Sequence, residues 1–211
     1  MKEEILGPAP LVFLAPVTDR SPRFVPPERK RELERVRAKE ILRQKNSVWA
    51  LLEDALLFAG VHPEKVSFHR TDSGKYLADG FSFSLSHTPR LCAVALSSRP
   101  VGVDAEEEEP FFARCSSPER FKRLARRVAF PGESAPDPAA FLRLWTGKEA
   151  AFKAASEPVF RPASIPLAER PLFWRRVEKP CRAVIALCSE NGANARFFFR
   201  GGEMEEITEK K

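Results

Sequence analysis

The stretch "LCAVALSSRPVGVDAEEEE", residues 91–109, divides the chain in two. Residues 91–98 form a continuous apolar run bounded by turn residues, which predicts a strand buried on both faces. Ser98 to Pro100 interrupt it as a hinge, and a second strand begins at Val101. Alternate residues of a strand share a face, so Gly102, Asp104 and Glu106 point one way while Val101, Val103 and Ala105 point into the core. Two carboxylates on one face suit a hard divalent cation such as Mg²⁺, which takes one or two protein carboxylates plus phosphate oxygens and water. Gly102 is expected to leave room for a ligand to approach the backbone. Without a metal, the same acids read as an exposed turn, and Glu107 to Glu109 read as a solvated extension either way.

Outward from this hinge the chain shows strands and helices twice over. Upstream lie an opening strand, "LVFLAPV", and a helical segment over 26–60 that opens on Pro26 and Pro27, closes on Gly60, and is predicted to break near Asn46 or Ser47. Two short strands, "KVSFHR" and "GFSFSLSH", follow. Downstream, "PERFKRLARRVAF" is helical, and a second helix over 136–156 is capped by Asp137 with Pro138 at its start. The tail, "RAVIALCSENGANARFFFR", reads as two strands joined by an Asn/Gly turn. The predicted class is α+β, with two similar α/β lobes, 1–98 and 99–211, packed face to face. A ligand cleft is expected between them.

Composition narrows the function. The chain has 211 residues, 43% of them hydrophobic, enough for a sizeable core. Its formal net charge of +6 and pI of about 9.3 favour an anionic partner: nucleic acid, a phosphorylated small molecule or an acidic protein. The N-terminus carries acids before a short apolar stretch broken by Pro8, Pro10 and Pro16, which is wrong for a signal peptide, so the cytoplasm is the expected compartment. Cys92, Cys115, Cys181 and Cys188 form no CxxC pair and read as reduced thiols. Of the histidines, only His87 sits in an informative context.

Three constellations carry possible chemistry. The first is the Asp104/Glu106 strand. The second is "WTGKEAAFK": on a helix, Trp145, Lys148, Glu149, Phe152 and Lys153 share one broad face, adding a third carboxylate and two cations beside the cleft. Read blandly, it is an amphipathic helix with a Glu149–Lys153 surface pair. The third is "FSFSLSHT", where Phe81, Phe83 and Leu85 alternate with Ser82, Ser84 and Ser86, and His87 closes the strand. Such a polar strand end holds a phosphate or serves local turn chemistry. Upstream, "DSGKY" sets Lys75 in a glycine turn.

In order and spacing, "SGKY", "FSLSHT", "VGVDAE" and "FLRLWTGKEAAFKA" together resemble the 4'-phosphopantetheinyl transferase superfamily, in its long single-chain, pseudodimeric, surfactin-synthetase-activating type. The resemblance covers roughly residues 24 to 165. It implies a Mg²⁺-dependent enzyme that moves 4'-phosphopantetheine from coenzyme A to a serine of an apo acyl or peptidyl carrier protein, releasing adenosine 3',5'-bisphosphate. It implies Asp104, Glu106 and Glu149 as the metal set, Glu149 also as base, and Lys153 as the cation that neutralises the pyrophosphate and helps the leaving group. Lys75, Ser86, His87 and Lys148 are implied as coenzyme A contacts, with Arg29 and Lys45 near the adenosine 3'-phosphate. The implied partners are coenzyme A and a carrier protein of fatty-acid, polyketide or nonribosomal-peptide synthesis, without nucleic acid or membrane, and the chain is expected to act as a monomer.

This sequence departs from the family pattern at four places. Tyr76 stands where proline is usual, Thr88 replaces serine, and "AASEPVF" replaces a glycine-containing turn after Lys153. Gly147 sits inside the key helix, where glycine costs roughly 1 kcal/mol against alanine. Two alternatives remain: a Mg²⁺-dependent nuclease, disfavoured because "GKE" lies in a helical pattern, and a non-catalytic binder of coenzyme A or carrier protein.

Overall fold

A computed structural model describes residues 6–71 and 74–208, Pro8 excepted. The first five residues, Ser73 of the "SGKY" motif, and residues 209–211 lie outside the described ones. The chain forms β1 (Leu11–Pro16), α1 (Pro27–Glu34), α2 (Lys39–Phe58), β2 (Phe68–Arg70), β3 (Tyr76–Ala78), β4 (Ser82–His87), β5 (Leu91–Ser97) and β6 (Gly102–Glu107). There follow α3 (Glu108–Arg114), α4 (Pro118–Val128), α5 (Pro138–Ala155), β7 (Leu172–Val177), β8 (Ala183–Cys188), β9 (Arg196–Arg200) and β10 (Met204–Glu206). The class is mixed α+β, as the sequence predicts.

The layers follow from strand alternation. One sheet runs β10-β9-β1-β5-β4 and another β6-β8-β7. On β1 and β5, Phe13, Cys92, Val94 and Leu96 face α2 with its Val48, Leu52 and Leu56. Val12, Leu14, Leu91, Ala93 and Ala95 face the other way, onto Val101, Val103, Ile185 and Leu187 of the second sheet. The far side of that sheet packs on α5 through Ala150, Ala151, Ala186 and Cys188. The order is therefore helix, sheet, sheet, helix. β5 lies between two apolar layers, which is why its seven residues are all buried.

Where the two sheets meet, serine hydroxyls take the place of a strand partner. The N–H groups of Val101, Val103 and Ala105 donate to Ser82, Ser84 and Ser86 Oγ at 3.2, 3.0 and 3.2 Å. The polar face of "FSFSLSH" is thus buried against β6 and satisfies an edge that would otherwise be bare.

Several expectations need correction. The helical break falls at residues 35–38 and not at Asn46 or Ser47, because Ser47 Oγ accepts from Thr18 N and donates to Thr18 O at 3.0 and 2.6 Å, so α2 continues through it. The two tail strands are present as read, and they enter different sheets: β8 lies between β6 and β7, while β9 crosses back to pair in parallel with β1. Gly102 leaves no space for a ligand, since a Cβ there would stand 1.9 Å from Ala150 O, and the glycine lets α5 lie on β6. Glu107 is 2% exposed and not solvated. It accepts from Thr88 Oγ1 at 2.6 Å and from Arg90 N and Nε at 2.9 and 2.7 Å. Its neighbour Glu108 pairs with Arg176, which leaves Glu109 as the exposed acid. The four cysteines are free and buried, as expected of reduced thiols.

Candidate active site

Three elements converge. β4 delivers Ser86 and His87 at its end, β6 presents Asp104 and Glu106, and α5 turns Trp145, Glu149 and Lys153 toward them. Together they line a pocket of about 340 Å³. On the other side of His87 and Lys153 lies a second pocket of about 370 Å³, lined by Arg29, Lys45 and Lys75 with Trp49, Tyr76, Phe83 and Phe152 as apolar walls. Leu85, His87 and Lys153 belong to both. One side of the site is therefore acidic, the other basic, and His87 and Lys153 stand at the boundary.

In the acidic pocket, Asp104 Oδ1 accepts from Ser86 Oγ at 2.9 Å and from Lys153 Nζ at 2.8 Å. Lys153 Nζ also reaches Val103 O at 3.2 Å. Glu106 pairs with Arg114 at 3.1 Å. Burial raises the Glu106 pKa, Arg114 opposes that, and Asp104 adds to it. Burial pushes Glu149 up to about 7, with the charges of Asp104 and Glu106 in the same direction and Lys153 against. The three carboxylates thus feel one another's charge across a shared space. Among the described residues, however, no group of three or more His, Cys, Asp or Glu side chains stands close enough to hold a metal ion.

In the basic pocket, burial lowers the His87 pKa to about 4, helped by Lys153, Lys45 and Arg29 and opposed by Asp104, so the ring is neutral at pH 7. Burial and Lys153 lower that of Lys75. Lys75 Nζ donates to Ser156 Oγ at 2.7 Å and to Lys153 O, which docks the glycine turn on the C-terminus of α5, where a cation meets the negative end of the helix. Arg29 lies over the Trp49 ring at 5.4 Å and pairs with Glu32 at 3.1 Å. Arg29 Nε and His87 Nδ1 are buried polar atoms without a hydrogen-bond partner among the described residues. A pocket with several cations and two unsatisfied nitrogens is chemically matched to phosphate oxygens.

The structure brings Asp104, Glu106, Glu149, Lys153 and His87 together, and gathers Arg29, Lys45 and Lys75 on the basic side. Ser86 is buried and engaged with Asp104 and Ala105 N. Lys148 does not join them. It is 0% exposed, with its Nζ 2.6 Å from Glu133 and 2.6 Å from Ile165 O. The expected single broad face of α5 is in fact two: 145, 149, 152 and 153 meet the cleft, and 148 meets the loops behind. Sequence reasoning missed Arg114 and Glu133, whose spacing from the motifs carries no signal, and Trp49, which the apolar half of the helical segment hid among core residues.

Residues 100–178 match the family model of the 4'-phosphopantetheinyl transferase superfamily. The matched span runs from just before β6 to just after β7 and contains Asp104, Glu106, Glu149 and Lys153, while the basic pocket's Arg29, Lys45, Lys75 and His87 precede it. The match supports phosphopantetheinyl transfer as the general activity, with coenzyme A and a carrier protein as the partners such enzymes use. No curated protein matches the chain.

Proposed function

We propose that the chain transfers 4'-phosphopantetheine from coenzyme A to a serine of an apo acyl or peptidyl carrier protein, working as a two-lobed pseudodimer in which both lobes line each pocket. The observation that carries this reading is the adjacency of a phosphate-matched pocket and a carboxylate pocket that share His87 and Lys153. Arg29, Lys45 and Lys75 hold the phosphates of the adenosine end. Neutral His87 donates a hydrogen bond at the pyrophosphate, and Lys153 neutralises its charge. Glu149, near half-ionised at neutrality, takes the proton of the incoming serine. The serine oxygen bonds to the phosphorus that carries pantetheine, the pyrophosphate bridge breaks on the far side, and adenosine 3',5'-bisphosphate leaves.

Carboxylates are the donor chemistry of a hard cation, but Lys153 and Arg114 hold Asp104 and Glu106 here, and the three acids do not stand as a ready metal set. Asp104, Glu106 and Glu149 would hold Mg²⁺ only with both cations displaced. When bound, the ion supplies further neutralisation of the pyrophosphate. Phosphoryl transfer leaves little covalent work to the protein, so positioning and charge carry the rate.

The test is incubation with apo carrier protein, coenzyme A and Mg²⁺, read by intact mass of the carrier. Addition of the phosphopantetheine mass is expected, and its loss in Asp104→Ala and Glu149→Ala. No mass change with retained coenzyme A binding would instead identify a non-catalytic binder, and strong salt-dependent DNA binding would favour the nuclease.

A further inference from the structure

Buried Lys148 and partly buried Glu133 form a hub that the reaction outlined above does not use. Glu133 accepts from Lys148 Nζ, from Phe130 N at 2.9 Å and from Leu167 N at 2.8 Å, while Lys148 also donates to Ile165 O. One ion pair therefore ties the middle of α5 to the loop before it and to the loop after it. Lys148 is adjacent in sequence to Glu149, about 100° around the helix, and five residues before Lys153. Two close contacts flank the pair on the same helix. Gly147 lies so near Trp174 and Leu167 that a Cβ would meet Cζ2 at 2.9 Å and Cδ1 at 3.0 Å, and Ala150 O sits against Gly102. Rotation of α5 about its axis would break the hub and close one of these contacts.

We propose that the Glu133–Lys148 pair is a positioning element that fixes the rotation of α5, so that Glu149 and Lys153 meet Asp104 and His87 at the boundary of the two pockets. Its assignment to catalysis rests on the transfer reaction proposed above. A buried ion pair is weak grounds for a stabilising role, because removing its charges from water offsets much of the attraction. Geometry is what this pair supplies. A displacement of a catalytic group by 1 Å is enough to cost about a hundredfold in rate.

The test compares the parent with Lys148→Met and Glu133→Gln. Coenzyme A affinity is measured by calorimetry, kcat with saturating carrier, and hydrogen exchange over residues 145–153. Lys148→Met is expected to lower kcat about a hundredfold, to leave the coenzyme A Kd within a few-fold, and to speed exchange in that span but not in α2. Glu133→Gln keeps one acceptor oxygen, which can serve Lys148 Nζ and Phe130 N but not Leu167 N on the other side of the carboxylate. It should show a smaller loss of the same pattern, and carries the test if Lys148→Met does not fold. Parental kcat in a variant with a lowered melting temperature would overturn the proposal, leaving the pair a structural tie. So would a coenzyme A affinity that falls in step with kcat, which would put Lys148 at the ligand. If the parent transfers nothing, the functional reading fails, and faster exchange over 145–153 still supports the positioning role while unchanged exchange overturns it.

Discussion

Acids two residues apart in one run have opposite roles, because β6 ends at Glu107 with its side chain turned into the core, while Glu109 lies in the exposed first turn of α3. Glu107 caps the turn at residues 88–90 from inside the core, while the Glu109 side chain is 86% exposed, 3.6 Å from Arg90. Glu107→Ala is therefore expected to cost about 2 kcal/mol in urea denaturation, through lost hydrogen bonds to a charged acceptor. Glu109→Ala should stay within about 0.5 kcal/mol of the parent. Equal effects would show that Glu107 is not held as described. Glu149 gives a second prediction at this scale. Its value of about 7 in the fold lies above its ordinary 4.5, so the folded protein holds this proton more tightly than the unfolded chain does. Ionising it thus costs stability as the pH rises through that window. In metal-free buffer, Glu149→Gln should melt higher than the parent at about pH 8 and alike at about pH 4, while abolishing transfer. A melting difference that is flat with pH would contradict the burial and repulsion assigned to this carboxylate.

The helix α5 shows where sequence rules and packing part company. Propensity alone predicts that Gly147→Ala gains about 1 kcal/mol. The Trp174 ring leaves no space for the methyl group, so the substitution is expected to lower stability by about 1–2 kcal/mol net and to slow transfer as α5 shifts. A stabilised, fully active Gly147→Ala protein would refute that packing. The N-terminus of the same helix was legible: Asp137 accepts from Ala140 N at 2.8 Å, as its place before Pro138 predicts. The alternation of β6 was legible too, since its period places Asp104 and Glu106 on the α5 side. What escaped is partner-dependent. β7, "LFWRRV", mixes cations into a strand whose partner residues lie six to sixteen positions on, and α3 opens on the acids Glu108 and Glu109, which sequence rules assign to a solvated turn. The three serines read as a polar face, and nothing local in them says that the N–H groups of another sheet will occupy it. Lys148 fits the helical period of the cleft residues, but the glutamate that claims it lies on a loop.

At the scale of the whole molecule, charge is uneven. α4 exposes Arg120, Lys122, Arg123, Arg126 and Arg127 on its outer side, and among the described residues none of them is in an ion pair. Its inner side, with Phe121, Leu124 and Val128, packs with Phe141. If this face receives an acidic carrier, reversing Arg123 and Arg126 to glutamate should weaken carrier binding at least tenfold and flatten its salt dependence, with coenzyme A affinity unchanged. Carrier affinity indifferent to both changes would exclude α4 as the docking face. The parallel pairing of β9 with β1 reaches further than the site. The first strand of the main sheet is joined on one side by β5, and on the other by a strand some 180 residues later in the chain. During synthesis β1 emerges early, and its second edge stays open until residues 196–200 have left the ribosome. The face it shares with the second sheet likewise waits for β8. Such distant pairings close slowly, so the growing chain exposes an apolar edge for most of its translation and is a natural client for a chaperone.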